Sequence, residues 1–338
     1  MVAVLFFNNI TSAQEDLGTI EIIGTSPVPG TGIDRNRVPN STQSINISDI
    51  ENLESNTFTD LMGEKLTGIT VKDLQNSPFQ KNLDYRGFTA SPLLGESQGL
   101  AVYLNGIRAN EGFGDTLQWE LIPENAVKKI DLMSANPVFG LNALGGSLAL
   151  TTKKGIDYLK QKGSAINSFE AGSFNKHVGI FELGAGTEDT GIYISAELAH
   201  DGGWRDHSPG DVKRVFVNYG QIFENLDIDY SFLHGRTELN GNGVSPTELL
   251  QKRRESVFTW PDTTENRLYL VNSNANYYYN DNTTISGSLY YRRLIRNTFN
   301  GDELDAEECD EDDDNGHQAQ LKTDFGTDDS PLCGEDNS

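Results

Sequence analysis

The sequence predicts two architectures in series: an α+β domain, then the antiparallel sheet of a transmembrane β-barrel, incomplete in this chain. Three observations lead there. Residues 41–155 mix helix caps, short strands and glycine turns in one stretch. From Gly163 onward, apolar and polar residues alternate with a period of two. The links between those alternating segments are short at one end and long at the other, the arrangement of outer-membrane barrels.

The chain has 338 residues and a formal net charge of -24, which argues against nucleic acid and anionic membrane surfaces as partners. The charge is uneven, because residues 301–338 hold 15 acidic residues and one Lys. No run approaches the ~18 apolar residues of a transmembrane helix, which leaves a barrel open.

Met1 to Ala13 reads as a clipped signal peptide, with the apolar run Val2–Phe7 and a cut after Ala13. A buried N-terminal strand is the plainer alternative. Residues 14–40 form a polar, turn-rich leader. Inside it Thr19, Ile20, Glu21, Ile22 and Ile23 make a β-prone island, suited to adding a strand to another protein's sheet.

In residues 41–155, Gln43 to Ile47 alternates like a strand. Ser48 is an N-cap for a helix Asp49–Glu54, with Glu51 at the capping-box position. A second helix is expected from Thr57 to Leu66, stopped by Gly68. Ile69–Val71 is a strand, and Asp84–Phe88 follows. Ala101–Arg108 turns as a hairpin at Asn105-Gly106. Pro123 fits the first turn of a helix. Val127, Ile130 and Leu132 start on a helical face and pass into a strand. Asn136-Pro137 is a turn. Gly140, Gly145 and Gly146 allow backbone conformations or approaches that a Cβ would block. Ser147–Thr152 is again a strand. On spacing alone an ordinary α/β turn with glycines fits Leu121–Gly155 equally well. A phosphate-cradling loop fits less, since G-x-x-x-x-G-K-[ST] is lacking.

In the second part, Ile192, Ile194, Ala196 and Leu198 oppose Tyr193, Ser195 and Glu197. Leu226, Ile228, Tyr230 and Phe232 oppose Asp227, Asp229 and Ser231. Tyr269, Val271, Ala275, Tyr277 and Tyr279 oppose Asn272, Asn274 and Asn276, and Ile285, Leu289 and Tyr291 oppose Ser286 and Ser288. A soluble β-sandwich shows the same alternation with its apolar face inward. Short links are expected at Thr187–Gly191, Glu224–Leu226 and Asn280–Thr283. Long ones are expected at Asp201–Val212, Thr237–Glu265 and beyond Asn297; a short link near Ser173–Lys176 breaks the strict pattern. The tyrosines at 277–279 then form an aromatic girdle beside a short turn. About seven strands fit between Gly163 and Arg296. An open sheet edge cannot sit in lipid, so the sheet is expected to continue in a longer protein.

Catalytic chemistry is sparse. Five histidines stand singly, with no H-x-x-x-H or C-x-x-C metal spacing and no G-x-S-x-G elbow. Asp227 and Asp229 read as solvated carboxylates of the inner face. Asp310–Gly316 lacks the glycine and glutamate of an EF-hand and reads as a solvated acidic loop, with a looser divalent-cation site as the alternative. In an exported chain Cys309 and Cys333 are expected to form a disulfide.

The segment L-I-P-E-N-A-V-K-K-I-D-L-M-S-A-N-P-V-F-G-L-N-A-L-G-G-S-L-A-L-T-T-K-K-G closely resembles the end of the plug domain of TonB-dependent outer-membrane receptors. The earlier Y-R-G-F element (Tyr85–Phe88) and V-Y-L-N-G hairpin (Val102–Gly106) match the same plug in order and spacing. Asn76–Phe79, Ser91–Leu93 and Gln98–Leu100 resemble its iron-complex-receptor branch in particular. The resemblance implies a plug over 41–155 and the first part of the barrel over 156–338, with an acidic extracellular loop at 297–338. It makes Thr19–Ile23 the TonB box, and Ser77, Phe79, Gln80, Ser91, Leu94 and Glu96 candidates for ligand contact from the plug's upper loops. Arg86 and Gly87, with Gly140, Gly145 and Gly146, would fix the plug's fold and its seating.

The implied activity is active import across the outer membrane of a Gram-negative bacterium, without catalysis and without a resident cofactor. The ligand is expected to be a ferric siderophore or another iron complex, with cobalamin, haem, nickel complexes or saccharides also within the class. The implied partners are TonB with its inner-membrane motor, and outer-membrane lipid. The leader is too short for the periplasmic signalling domain of some members, so transport without transcriptional signalling is expected. The competing reading from another class is a secreted β-sandwich adhesin or binding module; a barrel enzyme ranks behind both.

Overall fold

The computed structural model describes residues 22–24, 27, 32–46, 57–134, 136–280, 282–301, 306–308 and 332–334. The signal peptide, Thr19–Glu21, the helix expected at Asp49–Glu54 and the acidic run 310–316 lie outside them, as do Cys309 and the side chain of Cys333, and with them the expected disulfide.

Two short strands open the described chain, β1 (Ile22–Ile23) and β2 (Ile33–Asp34), paired antiparallel. The N-terminal domain is built on a five-stranded sheet. Its strands are β3 (Thr42–Asn46), β7 (Leu100–Leu104), β8 (Ile107–Arg108), β9 (Val127–Ser134) and β10 (Gly146–Thr152), in the order β3-β9-β10-β7-β8. Only β10 and β7 run parallel. A small sheet, β4 (Ile69–Lys72), β5 (Asn82–Tyr85) and β6 (Phe88–Ala90), stands beside it.

Helix α1 (Phe58–Lys65) begins where the sequence places it. The Thr57 hydroxyl accepts from the Asp60 N–H at 3.2 Å, and Gly68 follows with φ +86°. Phe58, Leu61 and Met62 are buried in the domain core, each contributing about 1.5–3 kcal/mol. Asn105 (φ 48°) and Gly106 (φ 86°) make the expected hairpin turn. The stretch expected as one run over Asp84–Phe88 is instead a second hairpin, turned at Arg86 (φ 55°) and Gly87 (φ 89°). An arginine at positive φ is uncommon, so this turn carries little sequence signal. After Pro123 comes one 3-10 turn, Glu124–Ala126, and the chain enters β9 at once; Val127, Ile130 and Leu132 all lie on the strand.

The second part is a seven-stranded antiparallel meander. It comprises β11 (Ser164–Ala171), β12 (His177–Gly186), β13 (Thr190–Asp201), β14 (Gly210–Ile222), β15 (Leu226–Gly241), β16 (Asp262–Asn280) and β17 (Thr283–Phe299). Short links 187–189, 223–225 and 281–282 gather at one end, and 172–176, 202–209 and 242–261 at the other.

The decisive feature is which face is buried. Tyr193, Ser195, Glu197, Arg214, Asn218, Asp229, Ser231, Asn266, Asn272 and Asn274 are buried against the N-terminal domain, while Phe232, Val271, Tyr230 and Leu289 face outward and exposed. The inner face mixes these polar groups with Phe216, Leu233, Leu268 and Leu270, while many large apolar and aromatic side chains of the same strands stand exposed on the outer face. A soluble sandwich turns its apolar face inward, so the adhesin arrangement is not the one observed. Of the tyrosines beside the link 281–282, Tyr279 is the most exposed, whereas Tyr278 turns its hydroxyl to Asp227 at 2.7 Å. The girdle expected over 277–279 is therefore not uniform.

Candidate functional site

The inner face of the sheet meets the N-terminal domain in three tiers. The lowest is where the domain runs into the sheet. An added Cβ at Gly155 would stand 2.1 Å from the Gly191 carbonyl oxygen, so neither backbone tolerates a side chain there. Gly155 N–H donates to Asn218 Oδ1 at 2.8 Å. Lys153 pairs with Glu182 at 2.8 Å, and Tyr193 donates to the same carboxylate at 2.6 Å. Lys154 pairs with Asp229, which also accepts from Asn274 at 3.1 Å. Asp229 is thus buried and paired, not a solvated inner-face carboxylate as expected; alternation fixed its face but not its partner, which is 75 residues away in sequence.

The middle tier centres on Arg214 of β14, whose side chain is 3% exposed. Its guanidinium donates to Glu197 on the neighbouring strand and crosses to the loop around Pro123. There it reaches the carbonyls of Ile122 and Glu120 and the Glu124 carboxylate at 3.2 Å. Asn125 donates to Ser195 at 2.5 Å, and Asn266 donates to the Glu120 carboxylate at 2.9 Å. Burial pushes the Glu120 carboxyl up to about 7, against the opposing pull of its own backbone N–H, Arg296 and Arg214. In the upper tier Arg292 of β17 donates to the Ala109 carbonyl at 3.0 Å, and Arg296 to the Pro92 carbonyl at 3.3 Å.

Above these, the segment Gln75–Gln80 meets the long links. Asn242 N–H donates to the Gln75 carbonyl at 2.9 Å, and Trp204 Nε1 to Asn76 at 2.9 Å. Phe79 packs against Gly210 and Leu239. His207 and Trp260 stack with centroids 3.9 Å apart. Arg205 ties the links together through Ser245 and the Ser256 carbonyl, both at 2.5 Å.

The residues singled out from sequence divide accordingly. Ser77, Gln80 and Ser91 are buried; Ser91 accepts from Asn82 at 2.7 Å. Phe79 is half-buried, Glu96 partly exposed and Leu94 58% exposed. Arg86 is exposed with its guanidinium over the Tyr85 ring, 4.9 Å from the centroid, and Gly87 is exposed beside it. Gly140 has φ +73°, Gly145 abuts Phe88, and Gly146 abuts the Met133 carbonyl. Ile22 and Ile23 pair with Ile33 and Asp34. Apart from Phe79, the polar contacts that join the two parts centre on residues the sequence did not single out, namely Arg214, Glu120, Glu124, Lys153, Lys154, Arg292 and Arg296. For Arg214, Arg292 and Arg296 the one signal is a charge at an inward position of a strand; Glu120, Glu124, Lys153 and Lys154 lie in turns and links and carry none.

Residues 34–147 match the family model for the TonB-dependent receptor plug domain. No curated protein matches the chain by sequence. Among solved structures the chain is similar to the unliganded ferric citrate transporter FecA, at 14% identity and TM-score 0.66, covering 78% of this chain and 41% of that one. It is similar to BauA, the ferric preacinetobactin receptor from Acinetobacter baumannii, at 13% identity and TM-score 0.62, covering 81% and 41%. It is also similar to the copper transporter OprC, at 13% identity and TM-score 0.58, covering 80% and 38%. At these identities the likeness is one of fold, and the chain spans about two fifths of the length of these structures. Residues 34–147 are a TonB-dependent receptor plug domain, and with the seven-stranded sheet against them the chain has the fold of such a receptor's plug and partial barrel.

Proposed function

We propose that the full-length protein imports a scarce ligand across the outer membrane of a Gram-negative bacterium, with a ferric siderophore or other iron complex as first choice. The observation that carries this reading is the tie between plug and sheet. It combines hydrogen bonds and ion pairs around Arg214, Lys153 and Lys154 with an apolar contact in which Leu121 and Ile122 share one buried cluster with Leu233, Leu268 and Leu270. The polar contacts can be exchanged for water as the plug is remodelled, and the apolar part is confined to a small patch around Leu121 and Ile122. The iron preference is supported by the named ligands of FecA and BauA; OprC, a copper transporter, keeps other metals within the class.

In this reading ligand is met outside, where the exposed Leu94 and partly exposed Glu96 share the upper side with Trp204, His207 and Trp260. Ser77, Phe79, Gln80 and Ser91 would shape the surface from beneath. Thr19–Ile23 would be the TonB box, and the strand pairing of Ile22–Ile23 supports its taking an edge partner. Energy would come through TonB and its inner-membrane motor, so no nucleotide site is required. The 41–155 and 156–338 division, the acidic loop from 297, and the Cys309–Cys333 bridge belong to the same proposal.

The test is uptake of labelled ferric siderophores by iron-starved cells carrying the full-length gene, beside deleted cells and cells with Ile22→Pro. Loss on deletion of uptake of one siderophore names the ligand. Ile22→Pro should abolish uptake while surface binding remains. Full uptake in that variant would sink the TonB-box assignment, and unchanged iron uptake on deletion would move the search to cobalamin, other metals and saccharides.

A further inference from the structure

Glu120 lies in the short turn Trp119–Leu121, between plug and sheet. It is 1% exposed and has no ion pair among the described residues. The cations around it are already matched. Arg214 of β14 pairs with Glu197 of β13 and with Glu124, and Arg296 of β17 faces Glu111 at 3.6 Å. Arg292, one turn of the pleat away on β17, is attracted by Glu111 as well. Three guanidiniums thus meet three carboxylates, and an ionised Glu120 would add a buried charge with no counterpart.

The two oxygens of this carboxyl differ. Oε1 accepts from Asn266 Nδ2 at 2.9 Å, and the same amide nitrogen donates to Thr237 Oγ1 at 3.3 Å. Oε2 of Glu120 and Oδ1 of Asn266 are buried and have no hydrogen-bond partner among the described residues. Both are acceptors while Glu120 is ionised, so neither can satisfy the other. A proton on Oε2 turns it into a donor. The planar acid and the planar amide then close a ring, with Nδ2–H donating to Oε1 and Oε2–H donating to Oδ1. One proton satisfies both orphaned oxygens and removes the excess charge. The electrostatics agree, since burial pushes this carboxyl up to about 7.

We propose that Glu120 is a proton-binding site whose carboxylic acid pairs with the Asn266 amide, so that one proton fastens the plug to strand β16. The hold of the plug on the sheet then depends on the surrounding pH. The folded carboxyl lies above its ordinary value, so the latch is closed in acid and opens as pH rises through about 7. Where the plug comes away, Glu120 meets water as an ordinary carboxyl and gives up its proton at neutral pH. Import is therefore easier at neutral than at acid pH. That last consequence rests on the reading that the plug is remodelled during import; the proton site itself does not.

The test is infrared difference spectroscopy of the full-length protein in detergent, between about pH 5 and about pH 9. The wild type should show a protonated-carboxyl C=O band that shifts in heavy water and disappears with a midpoint near pH 7. The band should be missing in Glu120→Gln. In Asn266→Leu it should move to higher frequency, because the acid has lost its acceptor, and in Gln118→Leu it should stay in place. Amide hydrogen exchange of residues 118–126 supplies a second readout. The ratio of wild-type to Glu120→Gln exchange should rise at least tenfold from about pH 5 to about pH 8, since the Gln amide keeps the ring closed at every pH. No band in the wild type, a band that survives Glu120→Gln and so belongs to Glu111 or Glu124, or a band moved by Gln118→Leu and not by Asn266→Leu would overturn the proton site. A flat exchange ratio would overturn the latch. The expected band and ratio in a protein that does not fractionate with outer membranes would uphold the proton site and overturn the import reading instead.

Discussion

Arg214→Met in the full-length protein removes the guanidinium that joins the sheet to the Pro123 loop. Four groups lose a partner. The Glu197 carboxylate is 8% exposed and stays buried as an uncompensated charge, whereas Glu124 is 33% exposed and is rescued by water. The Ile122 and Glu120 carbonyls lose one donor each. Breaking a buried pair from one side costs about 3–5 kcal/mol, and the partial solvation of Glu124 favours the lower end, about 3 kcal/mol. Protease cleavage within the plug then tracks the population of the undocked form. At 1.4 kcal/mol per factor of ten, cleavage should be about a hundredfold faster than in the wild type. Adding Glu197→Gln removes the orphan charge and should recover more than half of the loss. Cleavage within threefold of wild type for Arg214→Met, or no recovery in the double variant, would refute the clamp.

Two further outcomes follow from the same interface. The Glu120 carboxyl lies at about 7 in the folded chain against an ordinary 4.5, so its neutral form is the one the fold favours. Its contribution is fully present below about 4.5 and is lost as pH rises through about 7, a total of about 3 kcal/mol. Plug cleavage should therefore accelerate between those pH values in the wild type and stay flat in Glu120→Gln; parallel profiles would refute this. Gly155→Ala sets a Cβ against the Gly191 carbonyl oxygen, which is backbone and cannot turn away. The variant should lose about 2 kcal/mol or more in thermal unfolding of the full-length protein, and an unchanged midpoint would contradict the close approach.

Much of the fold was legible because it is written in local chemistry. Thr57 and Gly68 bracket α1, Asn105-Gly106 turns a hairpin, and the dyad alternation gives the β13 to β17 faces. The Arg86-Gly87 hairpin was not legible, since only glycine signalled positive φ there. Alternation also left the sign of the faces open: Ile194 and Ser195 lie on opposite faces in a barrel and in a sandwich alike, and only burial of Ser195 tells which face is inside. The site was less legible still. Arg214 and Glu120 are 94 residues apart in sequence, and Arg292 lies 183 residues from Ala109. Nothing local marks such pairs. The resemblance points to Ser77, Gln80 and Ser91 as well as Leu94, but burial closes the first three to solvent and leaves Leu94 exposed, a difference nothing in the local sequence marks.

The most direct test of the account is the lipid exposure of one row of the sheet in the full-length protein reconstituted in bilayers. Spin labels at Val217, Phe232 and Val271, neighbours across β14, β15 and β16, should relax more with oxygen than with a water-soluble nickel chelate. Labels at the inward Asn218, Ser231 and Asn272 should respond to neither while the plug is seated. The reverse result, with Phe232 and Val271 open to the chelate and silent to oxygen, would show that the apolar face does not meet lipid and would contradict the account.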